Sequence, residues 1–120
     1  MCLRALYLCR CRDGLPEVAG EYMRKRSISP KFQWPRNTVF YNNFELSDLD
    51  VWRSSEYRDY IEYIDQTGGF FYHRWGDAAV KTFAVTFFIP KNRTHHFKDI
   101  SYRHGRRRRL MGIVHRLQHA

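Results

Sequence analysis

Beyond residue 11 this 120-residue chain contains no cysteine; Cys2, Cys9 and Cys11 are all it has. An odd number of thiols crowded into one end makes a poor disulfide framework. The Cys9-x-Cys11 spacing is too tight for a zinc knuckle and has no histidine beside it, so no function is assigned to these residues. Long apolar runs are lacking too: none approaches the roughly 18 residues of a membrane helix, so no membrane span is expected in this chain. Residues 3–9 are apolar but short, and Arg10 and Arg12 follow, so no signal peptide is expected either. No internal repeat is visible, and 105–120 holds no acidic residue.

What is present is aromatic and basic. Apolar residues make up 43% of the chain and aromatics 17%, which argues for one packed domain and against disorder. The net charge of +9 is unevenly spread: residues 1–40 carry +5, 41–104 carry −1 and 105–120 carry +5. A nucleic-acid binder usually mixes its basic residues with exposed aromatics. Here they sit apart from the aromatics, so nucleic acid is not the expected partner.

Residues 1–35 show no clear period, and glycines and prolines punctuate them, so they read as mostly loop with a short helix over 18–26. Tyr41-Asn42-Asn43 resembles a turn entering a helix. From Ser47 the pattern sharpens, with Ser47 as cap and Asp50 in the capping-box position. Trp52 ends that short segment, and Ser54-Ser55 starts a helix with Glu56 in its first turn. Tyr57, Tyr60, Ile61 and Ile64 fall on one face of it, and Arg58, Asp59, Glu62 and Asp65 on the other. Tyr57, Tyr60 and Tyr63 read as helix packing, and Gly68 as the left-handed stop. Val80, Phe83, Ala84, Phe87 and Phe88 then follow helical spacing, with Asp77 as N-cap. The β-branched Val80, Thr82, Val85 and Thr86 leave a strand open there. His95-His96-Phe97 is a candidate short strand, and 110–120 a small basic helix.

The stretch around which the chain is organised is Gly68-Gly69-Phe70-Phe71-Tyr72-His73-Arg74-Trp75-Gly76-Asp77. Rings followed by a guanidinium and a carboxylate suit a pocket that grips a polar, ring-shaped ligand. They suit equally a buried loop that packs its aromatics into a core. This block occurs in order with Asn43-Phe44-Glu45, Arg53-Ser54-x-x-Tyr57 and Asp99-Ile100-x-Tyr102-x-His104. Together they resemble the fungal α-1,2-mannosyltransferases of glycosyltransferase family 15, over about residues 41–104.

The resemblance implies an α/β fold, the C-terminal half of a single-sheet nucleotide-diphospho-sugar glycosyltransferase, here a helix-rich fragment. It implies retaining transfer of mannose from GDP-mannose to mannose-containing glycans of glycoproteins, a manganese ion on the diphosphate, and a Golgi-membrane setting for the full-length enzymes. Glu45 matches the glutamate discussed as nucleophile or as stabiliser of the oxocarbenium-like sugar, a role a carboxylate suits in retaining sugar chemistry. From the residues alone it reads as a first-turn helix glutamate. His104 matches a metal-ligating histidine, or else is an exposed histidine before a basic tail. Asp77 binds a sugar hydroxyl or caps its helix, and Arg74 faces the diphosphate or pairs with Asp77. Tyr72 and Trp75 are candidate walls for the acceptor mannose. His73, His95 and His96 have no such match.

The pattern also breaks. The family's metal-binding Glu-Pro-Asp is not found in this sequence. Thr38-Val39-Phe40-Tyr41-Asn42 stands where Cys-His-Phe-Trp-Ser is usual, Ala79 where proline is common and Ser101 where glycine is common. An arginine run, 106–109, follows His104. The expectation is therefore a C-terminal piece of such an enzyme, poorly matched over 1–40, family-like over 41–104 and ending in an unrelated basic tail, 105–120. Such a piece is weakly active or inactive alone. The alternatives are a non-enzymatic basic module, or an inactive remnant that docks a glycoprotein or a full-length homologue.

Overall fold

A computed structural model describes residues 13–33, 39–40, 42, 45–104 and 107–115, with backbone alone from His96 onward. The cysteines, Asn43 and Phe44 lie outside the described residues. Helix α1 (Leu15–Arg26) opens earlier than the expected 18–26, because Pro16 suits a first helical turn. A two-residue strand β1 (Glu45–Leu46) and helix α2 (Leu49–Arg53) follow. Then come α3 (Ser55–Asp65), the single turn α4 (Gly69–Tyr72) and α5 (Asp77–Phe88). A 3-10 turn over Lys91–Arg93 leads into β2 (Thr94–His104) and β3 (Arg107–His115).

Local chemistry explains most of these boundaries. The Ser54 hydroxyl accepts the Tyr57 amide at 3.2 Å and caps α3 as expected, with Glu56 in the first turn. At α2 the cap is Asp48, not Ser47. Its carboxylate accepts the Asp50 amide at 2.8 Å, while the Ser47 hydroxyl accepts the Trp52 indole N–H at 2.7 Å. Asp77 is likewise not a cap; it is the first residue of α5, and Gly76 precedes it in extended conformation. The β-branched residues of α5 do not divert it into a strand. Thr82 and Thr86 satisfy themselves inside the helix, their hydroxyls donating to the Ala78 carbonyl at 2.6 Å and the Phe83 carbonyl at 2.8 Å. Gly68 is left-handed (φ 73°), but α3 has already closed on Gln66, so Gly68 opens α4 instead of ending α3.

The core lies between α1, α3 and α5. Tyr22, Tyr60, Leu15, Ile64 and Val85 are fully enclosed. The Tyr60 ring meets Tyr22 at 5.3 Å and the edge of Phe87 at 5.7 Å. Arg26 clamps α1 to α3 through two bonds to Asp59, at 2.8 and 2.6 Å, and the Tyr22 hydroxyl donates to the same carboxylate at 3.0 Å.

The C-terminal part departs most from expectation. Residues 107–115 are a strand, where 110–120 read as a helix. They pair antiparallel with β2 and parallel with β1 to give the order β1-β3-β2. Ile113 and Val114 prefer a pleated surface, and an eleven-residue neighbour supplies backbone partners that a terminal helix lacks. The arginines at 107–109 thus belong to the sheet. Residues 116–120 lie outside the described residues.

Candidate functional site

The segment from Phe40 to Glu45 is lashed to the first half of α5 by three bonds. The Phe40 amide donates to the Thr82 hydroxyl at 2.7 Å, and the Asn42 amide to the Asp77 carboxylate at 2.6 Å. The Lys81 ammonium donates to Glu45 Oε2 at 2.9 Å. Asp77 and Lys81 stand one helical turn apart on the same face, where they would form an i, i+4 pair. Each instead reaches the incoming segment, and that delivers Glu45 to the helix.

Glu45 itself sits on β1, not in a helix, so a first-turn dipole role does not apply. Its side chain is 11% exposed. Among the described residues its second oxygen, Oε1, is buried and has no hydrogen-bond partner. A buried oxygen left without a partner costs roughly 1–3 kcal/mol, so a carboxylate kept in that state marks a place where a ligand atom belongs.

Aromatic groups frame the carboxylate. The Lys81 ammonium stands 5.2 Å from the centre of the Trp52 ring, and Trp52 meets the half-buried Tyr57 edge-on at 4.9 Å. Burial, followed by the negative charges of Glu45 and Asp77, raises the Tyr57 phenol above its usual range. The phenol is therefore a stable proton donor lying in the field of both carboxylates. Among the described residues it has no hydrogen-bond partner. Glu45, Asp77, Lys81, Asn42, Tyr57 and Trp52 make one polar cluster with aromatic walls, an arrangement suited to a hydroxyl-rich ring.

Only two of the six residues singled out in the sequence, Glu45 and Asp77, meet in this cluster. Asp77 is committed to Asn42 and not to Arg74. Trp75 is not a cleft wall. It is 6% exposed, its indole N–H donates to the Asp13 carbonyl at 2.7 Å, and the edge of Phe70 packs on it at 5.8 Å. Gly69 permits that burial, since a Cβ there would overlap the Trp75 ring. Tyr72 and Phe71 point the other way, 84% and 83% exposed, with no described contact to Glu45. Arg74 is exposed and left-handed (φ 53°), a conformation uncommon for a side chain with Cβ, and it turns the chain from α4 into α5.

The register places His104 away from Glu45. Glu45 pairs with Ile113 on β3, whereas His104 pairs with Arg107, six positions along the same strand. At about 3.3 Å per residue the two rungs stand roughly 20 Å apart along the sheet. His96 is the histidine on the Glu45 rung, through Ile113. No group of three His, Cys, Asp or Glu residues among the described residues stands close enough to share a cation. Among the described residues, then, no ligand set for the manganese that the resemblance implies is assembled, and one histidine does not make such a site by itself.

Lys81, Tyr57, Trp52 and Asn42 were not singled out from the sequence. Tyr57 and Trp52 look like packing residues in a linear reading, and nothing in the chain marks that Lys81 meets a residue 36 positions upstream. A separate cavity of about 660 Å³ opens where α2 meets the end of α5. Val51, Phe87 and Phe88 wall it, and Lys31, Asp50 and Glu56 ring it with both signs of charge, so it selects no one ligand class.

Part of this sequence recurs in known proteins. Glycolipid 2-alpha-mannosyltransferase 2 of Candida albicans is 51% identical over 66 residues, covering 55% of this chain and 14% of that protein. The glycolipid 2-alpha-mannosyltransferase of Saccharomyces cerevisiae is 51% identical over 65 residues, covering 54% and 15%. An O-glycoside alpha-1,2-mannosyltransferase homolog of Schizosaccharomyces pombe is 49% identical over 66 residues, covering 55% and 18%. The chain thus spans less than a fifth of each of these curated relatives. No solved structure matches it. The sequence profile of the glycolipid 2-alpha-mannosyltransferases matches residues 31–109, which include the whole Glu45–α5 cluster, and this chain belongs to that family.

Proposed function

We propose that this chain supplies the acceptor side of a retaining α-1,2-mannosyltransferase, one that moves mannose from GDP-mannose to mannose-containing glycans of glycoproteins. The single observation that carries the reading is the buried Oε1 of Glu45, without a partner among the described residues, inside the family-matched region. Retention needs a group on the sugar face opposite the leaving diphosphate. As the C1–O bond breaks, its electron pair leaves with GDP. Oε1 then either bonds to C1 or lies against the positive carbon. The acceptor 2-hydroxyl next forms the new C1–O bond on the face the diphosphate left. Any C1–Oε1 bond breaks with its electron pair returning to the Glu45 carboxylate, and the hydroxyl proton passes to the departing diphosphate. Tyr57 and Asp77 are placed to hold hydroxyls of a ring seated over Trp52, the phenol donating and the carboxylate accepting.

The reading includes a fold of the single-sheet nucleotide-diphospho-sugar type, of which this chain holds one part, and a Golgi-membrane setting for the working enzyme. No helix among the described residues is long and apolar enough to cross a membrane. The reading assigns no resident metal to these residues. It also gives the grip on the GDP moiety to parts of the relatives that this chain does not match.

Calorimetric titration of the 120-residue chain tests the assignment. Methyl α-mannoside binds, and Glu45→Gln weakens its binding at least about tenfold, while GDP-mannose with manganese binds weakly. Tight GDP-mannose binding contradicts the acceptor-side assignment, and no mannoside binding contradicts the reading as a whole.

A further inference from the structure

Lys81 is the group in the cluster whose part is unassigned, and three observations bear on it. Its ammonium donates to Glu45 Oε2 at 2.9 Å. The same ammonium stands 5.2 Å from the centre of the Trp52 ring, which is itself fixed by the Ser47 hydroxyl at 2.7 Å. The other Glu45 oxygen, Oε1, is buried and has no partner among the described residues. A purely structural ion pair between side chains 31% and 11% exposed gains little, since desolvation offsets most of the attraction. Such a pair also has no reason to leave one carboxylate oxygen without a donor.

We propose that Lys81 is a positioning residue for Glu45. By holding Oε2 it fixes the carboxylate in one orientation with Oε1 toward the ligand, and it supplies the counter-charge once a ligand excludes water. The Trp52 face limits where the ammonium can go, so the carboxylate has one anchor point instead of several. A buried anion stripped of water and of any cation is strongly disfavoured. A seated sugar ring would create that situation if Lys81 were absent. The inference rests on the mannoside reading given above, but the anchoring itself is visible without any sugar.

The test joins a ligand-free readout to a binding one in the 120-residue chain. In NMR spectra of the ligand-free protein the Lys81 Cε protons are shifted by the Trp52 ring, relative to the exposed Lys91, and Glu45→Gln abolishes the shift. In titrations with methyl α-mannoside, Lys81→Met weakens binding roughly 30-fold or more. Lys81→Arg restores most of it, and Lys81→Met adds nothing in a Glu45→Gln background. Wild-type binding by Lys81→Met overturns the proposal. So do losses that add independently to those of Glu45→Gln, which would show that Lys81 does not act through the carboxylate. Should Lys81→Met fail to fold, wild-type Lys81 protons indistinguishable from those of Lys91 overturn it equally. Ring-shifted Lys81 protons that depend on Glu45, in a chain that binds no mannoside, uphold the anchor and reject the sugar reading alone.

Discussion

Two parts of the family-matched region, the Glu45–α5 face and the loop from Gly68 to Trp75, behave opposite to what their compositions suggest. The loop is the aromatic-rich stretch that draws the eye in the sequence. In the fold its rings divide, Phe70 and Trp75 packing inward and Phe71 and Tyr72 standing in solvent. The α5 face is plain in the sequence. It nevertheless collects a carboxylate, an ammonium, a phenol and an indole around one unsatisfied oxygen. Ring density reports packing first; a buried polar atom without a partner reports a site.

The comparison breaks most visibly at Trp75. Removing its ring leaves a void against Gly69 and Phe70 and frees the Asp13 carbonyl, so Trp75→Ala should cost about 3–5 kcal/mol of stability in urea unfolding. A loss under about 1 kcal/mol would mean that the indole is not core. Gly69→Ala should destabilise by roughly 1–3 kcal/mol in the same measurement, through overlap with that ring.

Glu45→Gln should do the reverse. Mannoside affinity should fall at least about tenfold while stability stays within about 1 kcal/mol of wild type, because the lost pair is partly solvated. A chain that unfolds without losing affinity while folded would make Glu45 structural.

Titration probes the clamp behind both regions. Burial first, and then its bond to Asp59, pushes the Tyr22 phenol up to about 12 from 10.0. Its neutral form is favoured in the folded state, so this stability is complete below pH 10 and is lost as pH climbs toward 12. Asp59 moves the opposite way, lowered chiefly by its Arg26 hydrogen bond. Its smaller contribution is present above the usual carboxylate value of 3.8 and disappears as pH falls below that. Thermal unfolding followed across pH should show both flanks, and Tyr22→Phe should shrink the alkaline one without removing it, because burial also raises the Tyr57 and Tyr60 phenols. The smallest effect belongs to the outward rings. Phe71→Ser should change stability by no more than about 0.5 kcal/mol.

The sequence displays what is local. The α3 face of Tyr60 and Ile64, the Ser54 cap and the helical spacing of α5 all depend on neighbours within a few residues. Cap positions slip by one, at Ser47 because the neighbouring Asp48 takes the Asp50 amide, and at Asp77 because α5 already opens on Gly76, which has no side chain to cap it. The strand over residues 107–115 was not legible, since its backbone partners lie on β2 and β1. Nor was the division of aromatics in the loop, because a ring that packs and a ring that binds read alike along a chain. Glu45 was found through family resemblance, whereas Lys81 needed the fold: only the lashing of Phe40, Asn42 and Glu45 onto α5 brings the two together.

The central claim is that a saccharide belongs at the free oxygen of Glu45. Following the backbone and side-chain NMR signals of the whole chain during a methyl α-mannoside titration tests it most directly. Shifts concentrated at Glu45, Trp52, Tyr57 and Asp77, with Phe88 and the cavity beside it unmoved, are the predicted result. Shifts centred on that cavity, or on Tyr72 without Glu45, would contradict it.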